Sequence, residues 1–170
     1  QGTLTFATAP NAFGHVQGTI QAVDSFNPPG KTNRTAFQIR ILDVNDAPSF
    51  TLEGNLVGRR VTECTVAGAC ARNYPTFMRD LGVGPVNEDA QTPTVTVAMD
   101  SPYLAKFDVP PAIDPVTGAL TFTLKQYAHP LPTNPIPVMV TVRDNGGTAN
   151  GGDDVTHQTF TIEILDQPNP

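Results

Sequence analysis

The chain has 170 residues, 39% hydrophobic and 15% charged, enough apolar material for one complete core and part of a second, and too much for a disordered polypeptide. Its formal net charge is −6 and Arg59-Arg60 is the only adjacent basic pair, so the clustered cations that a nucleic-acid partner requires are missing. No run reaches the ~20 apolar residues of a membrane-crossing helix, and no membrane insertion is expected in this segment.

Seventeen prolines and fourteen glycines punctuate short stretches rich in Val, Ile, Phe and Thr, which is an all-β composition. In chain order, period-two alternation predicts strands around Leu4 and Phe6, around Val16, Ile20 and Ala22, and around Phe37, Ile39 and Ile41. Further strands are expected at "SFTLE" (49–53), "VTEC" (61–64), "CARNYPTFM" (70–78), "TVTVAM" (94–99) and "LAKFDV" (104–109). The last three place Leu120, Phe122 and Leu124, then Val138, Val140 and Val142, then Phe160, Ile162 and Ile164 on single faces. No helical period of useful length occurs.

The beginning of the chain repeats near its end. "QGTLTF" (1–6) matches "TGALTF" (117–122), "AVD" (22–24) matches "TVRD" (141–144), and "TAFQIRILD" (35–43) matches "QTFTIEILD" (158–166). The growing offset implies small insertions, in the Pro-rich 129–137 and in "DNGGTANGGDD" (144–154). Residues 1–46 then read as the C-terminal half of one module and 47–170 as a complete second one, built as a two-sheet Greek-key sandwich of immunoglobulin type. A chain that starts at Gln1 in mid-module is expected to be a piece of a longer, processed polypeptide.

"GTLTF" with "PNAFG", the glycine-rich 144–154 loop, the "TFTIEI" strand and the junction "DVNDAPSF" together resemble the tandem cadherin-like or Ig-like repeats of very large extracellular adhesin-type proteins. The second copy departs from the pattern, with "KQYAHPLPTNPIP" in place of "PNAFG" and "DQPNP" closing the chain. The resemblance implies a structural role at the cell surface, in a stalk, fibre or adhesin. The partners would be neighbouring modules of the same chain, copies of itself in a fibre, or a cell-surface partner. It also implies calcium-stiffened joints.

The residues give the joint a chemistry of their own. In such a sandwich the loops 86–92 and 144–154 return to the linker, so Asp43, Asn45 and Asp46 would meet Glu88, Asp89 and Asp144, with Asp153 or Asp154 as substitutes. Calcium takes six to eight oxygens of this kind. Asp, Asn, Gly and Pro are also turn formers, so a plain acidic linker is the competing reading.

Cys64 and Cys70 in "ECTVAGAC" can close a small loop as a disulfide, which implies an oxidising compartment, or stand as free thiols. Asn33-Arg34-Thr35 is a glycosylation sequon, expected in an exposed loop. His15, His129 and His157 lie on separate elements and no catalytic motif accompanies them, so no enzyme is expected. A carbohydrate-binding accessory module is the runner-up function; it would need exposed aromatics, and the chain has no Trp and three scattered tyrosines, Tyr74, Tyr103 and Tyr127.

Overall fold

The computed structural model describes residues 2–24, 32–53, 59–128 and 135–166. Most of the Pro-rich insertion, His129 and the terminal "QPNP" lie outside the described residues.

The first two strands, β1 (Gly14–Val23) and β2 (Thr32–Ile41), pair antiparallel as a two-stranded sheet of their own. The next nine are β3 (Ser49–Leu52), β4 (Arg59–Thr62), β5 (Ala71–Tyr74), β6 (Met78–Gly82), β7 (Thr94–Ala98), β8 (Phe107–Ile113), β9 (Leu120–Leu124), β10 (Ile136–Arg143) and β11 (Val155–Leu165). One layer has the order β4-β11-β10-β7, antiparallel except for the parallel β4–β11 pair. The other consists of β3-β6 and β5-β9-β8, joined because β5 and β6 follow one another through a bend.

Two layers with β10 and β11 facing β9 make the all-β sandwich expected from the alternation. Val138, Val140, Val142, Leu124 and Phe77 are completely buried, and Ile136, Ile162, Ile164 and Leu120 nearly so. Phe77 meets Phe160 edge-on at 4.9 Å between ring centres, and Phe107 meets Phe122 likewise at 5.6 Å. Such pairs add about 0.5–1.5 kcal/mol each beyond the area they bury.

Several expected elements differ. The single strand over 70–78 is broken at Pro75 and Thr76; proline lacks the ladder N–H, and Thr76 has a φ of +57° that a strand cannot continue. In place of the start of a strand at 104, Ser101–Leu104 forms one helical turn begun by Pro102, and the strand runs from Phe107 to Ile113. No strand forms around Leu4 and Phe6, which are exposed. Their counterpart β9 is held between β5 and β8, and no such neighbours flank residues 2–9 among the described residues.

Asn33 lies inside β2, paired with Ala22, because the ladder with β1 runs without a register shift from Gly14 opposite Ile41 to Val23 opposite Thr32; the sequon is exposed but not in a loop. The cysteines are joined, Cys64 to Cys70, with both side chains buried. Closing so short a loop removes unfolded-state entropy equivalent to about 2 kcal/mol.

Candidate functional site

The linker Asp43–Pro48 does not swing free of the sandwich. Pro48 is buried, its carbonyl accepts the Thr156 hydroxyl, and the Phe50 carbonyl accepts Gln158 Nε2 at 2.7 Å. These bonds lay the linker along β11 and aim Asn45 at the two loops that precede β7 and β11.

Asn45 is the hub of the joint. Its Nδ2 donates to Asp144 Oδ1 at 3.0 Å and to the Asp153 carbonyl at 2.6 Å. Its Oδ1 accepts Gln91 Nε2 at 2.7 Å, and its backbone carbonyl accepts the Asp153 N–H at 3.0 Å. One side chain thus ties together the linker, the loop before β7 and the loop before β11.

Two glycines make room for it. A Cβ on Gly146 would stand 1.8 Å from Asn45 Oδ1, and one on Gly152 would stand 2.9 Å from Asn45 N. Gly146→Ala is expected to push the carboxamide out of its seat and destabilise the joint by about 1–3 kcal/mol. Limited proteolysis should then cut within 43–46 at a protease level that leaves the parent intact; equal resistance of the two proteins would count against the clamp.

The carboxylates surround this amide. Glu88, in a single turn of 3₁₀ helix (Val86–Glu88), is 4% exposed, and its Oε1 accepts the Asp46 N–H at 3.2 Å. Asp144 is also 4% exposed, and its Oδ1 additionally accepts the Gly146 N–H at 2.9 Å. Glu88 Oε2 and Asp144 Oδ2 are buried without a hydrogen-bond partner. Burial pushes the Glu88 carboxyl above its ordinary value; the Asp46 N–H opposes this, and the negative charges of Asp46, Asp144 and Asp43 reinforce it.

Of the expected ligands, then, Asn45, Asp46, Glu88 and Asp144 come together. Asp43 is exposed and contributes its carbonyl, which accepts Asn150 Nδ2 at 2.9 Å. Asp89 is also exposed, being next to Glu88 on a tight turn where consecutive side chains diverge. The substitutes are engaged elsewhere: Asp153 Oδ1 accepts the Val155 N–H at 3.1 Å, and Asp154 forms an ion pair with Arg143. Among the described residues no three His, Cys, Asp or Glu side chains converge closely enough to hold a metal ion.

Sequence reasoning missed the amides. Gln91, Asn145 (whose Oδ1 accepts the Thr92 N–H at 2.8 Å) and Asn150 all fasten the joint. Beside the linker a cleft of about 430 Å³ opens between Asn11, Asp43, Asp46 and Asn87.

The donor set is chemically suited to calcium. It is made of hard oxygens, two of them carboxylate oxygens buried with no counter-charge, against backbones kept close by Gly84 and Gly146. A Cβ on Gly84 would fall 1.9 Å from Glu88 Oε2. Elsewhere, Tyr74 stacks on Phe122 and Tyr103 packs against the core; among the described residues only Tyr127 of the three tyrosines is exposed.

No family model and no curated protein matches the chain. Among solved structures it is similar to the human desmocollin-1 ectodomain, with 16% identity, a TM-score of 0.40, and coverage of 90% of this chain and 28% of that one. It is similar to protocadherin gamma B2 extracellular cadherin domains 3–6 at 16% identity and a TM-score of 0.38, covering 90% of this chain and 32% of that one. It is also similar to zebrafish RET cadherin-like domains 1 to 4 at 13% identity and a TM-score of 0.37, covering 91% and 34%. The chain spans about a third of the length of each of these structures.

Proposed function

We propose that the chain is a structural segment of an extended extracellular array of sandwich modules, and that the joint at Asp43–Asp46 is stiffened by calcium. Residues 1–46 are the C-terminal half of one module and 47–170 the next. Its work is projection and spacing in a stalk, surface fibre or adhesin, with neighbouring modules as its first partners. The disulfide supports an oxidising, extracellular location.

The observation that carries this reading is the pair of buried carboxylates, Glu88 and Asp144, each with an oxygen lacking a partner, where the linker's Asn45 and Asp46 are bonded to the following sandwich. Buried charge without a counter-ion is costly, and a divalent cation removes that cost. Glu88 and Asp144 would hold the ion, with Asp46 and Asp43 within electrostatic reach. When bound, calcium supplies positive charge shared by oxygens of the linker and the loops. The chain's own part is to keep those oxygens in place through Asn45, Gln91 and Asn150.

Titrating calcium into the chelated protein is expected to give a binding heat and to raise the melting temperature. Stabilisation should reach about 2.7 kcal/mol at a hundredfold excess over Kd. Asp144→Ala should abolish both signals. The absence of heat, together with an unchanged melting temperature, would remove calcium from the joint.

A further inference from the structure

The β1–β2 hairpin has the same pairing register as β10–β11. Val16 faces Ile39 as Ile136 faces Ile162; Gly18 faces Phe37 as Val138 faces Phe160; Ile20 faces Thr35 as Val140 faces Gln158; Ala22 faces Asn33 as Val142 faces Thr156. The environments are opposite. Ile136, Val138 and Val140 are buried under the facing layer, whereas Val16 is 51% and Ile20 56% exposed.

Val16, Ile20, Phe37, Ile39 and Ile41 all fall on that one face of the hairpin; the other carries His15, Gln17, Gln21, Arg34, Gln38 and Arg40, with Ala36 and Val23 its apolar members. A two-stranded hairpin with one apolar face is not stable on its own in water. Phe37 lies across Gly18, where an added Cβ would come within 2.3 Å of the ring, so the face has folded onto itself at the place where Val138 stands in the second hairpin.

We infer that this Val16–Ile20–Phe37–Ile39 face is the inner surface of a sandwich whose facing strands come from the segment of the same polypeptide ahead of residue 1. Those strands are of the kind formed here by β3, β5, β6 and β8. The inference rests on the modular reading proposed above and extends it to a defined surface and occupant. In the second module the covering strands precede the hairpin and lead into it through Gly118–Phe122; Gly2–Phe6 repeats that stretch and precedes β1 by seven residues. A second copy of the chain is a poorer occupant, because its equivalent strands already cover its own β10 and β11, with Phe77 fully buried against Phe160.

Hydrogen exchange in chelator, followed by mass spectrometry, tests this on two proteins: the 170-residue chain, and the same chain preceded by its native upstream residues. The expected result is a 170-residue monomer in which the amides of β1 and β2 exchange quickly, and a longer chain in which the same amides slow roughly a hundredfold. Unchanged exchange in the longer chain would overturn the inference. A 170-residue chain that dimerises and protects the hairpin in a concentration-dependent way would also overturn it, by showing a second copy as the occupant. Val16→Thr with Ile39→Thr is the control: it should reduce binding of a hydrophobic dye by the 170-residue chain while leaving the melting of the β3–β11 sandwich unchanged, and unaltered dye binding would count against an open face. Because no calcium is present, failure here is distinct from failure of the calcium joint.

Discussion

Replacing Glu88 by glutamine is expected to raise the melting temperature in chelator at neutral pH and to lower it, relative to the parent, in calcium. Glutamine keeps the Oε1 that accepts the Asp46 N–H and removes a charge from a site only 4% exposed. The Glu88 carboxyl is raised above 4.5, so just above that value the folded state retains a proton that the unfolded chain releases. Stability from this group therefore falls as pH rises through the folded value, and it stays low at neutral pH. Relieving the burial of a poorly satisfied group is worth about 1–3 kcal/mol, and each kcal/mol moves the melting temperature by about 2–4 °C in a chain of this size. On the proposed calcium reading the same charge would be a ligand, and the sign would reverse. Melting the parent and the variant across pH 5–7, with and without calcium, checks both halves. A shift of the same sign in both conditions would separate Glu88 from the metal.

Phe77→Ala is expected to give the largest loss of stability, about 3–5 kcal/mol. The ring is wholly buried between the layers, edge-on to Phe160, at the bend that joins β5 to β6. Its backbone carbonyl also accepts the Glu53 N–H, so β3 is tied to the same point. Urea unfolding should show a lower midpoint with an unchanged slope. A loss under about 1 kcal/mol would mean that the two layers do not close on this side chain. Phe37→Ala on the open hairpin face should leave that transition where it is.

Much of this was legible because one residue type repeats every second position. The runs containing Val138 to Val142 and Phe160 to Ile164 leave no choice of face, and the repeat between 35–43 and 158–166 carries that face to the first hairpin. The short spacing of Cys64 and Cys70 allowed the disulfide that the structure forms, with free thiols as the alternative. The bend at Thr76 was hidden, because a positive φ at threonine has no signature beyond the preceding proline.

In the joint, carboxylates could be placed because topology returns the two loops to the linker. Which of the neighbours Glu88 and Asp89 turns inward is decided by a 3₁₀ turn three residues long, below the reach of periodicity. Gln91 and Asn150 were invisible because a lone amide has no spacing to betray it. The doubled glycines 146–147 and 151–152 were the available signal, since a loop that must lie against another backbone sheds side chains at the contact.

The parallel pairing of β4 with β11 has a mechanical meaning. The last strand of the β3–β11 sandwich runs the same way as its second, from Ile162 opposite Arg59 to Leu165 opposite Thr62. Once β3 has parted from β6, tension applied through the linker and past Leu165 draws these strands in opposite directions along their length. Their hydrogen bonds are then loaded together in shear and cannot be opened one after another, so the sandwich resists pulling best along the axis of the chain.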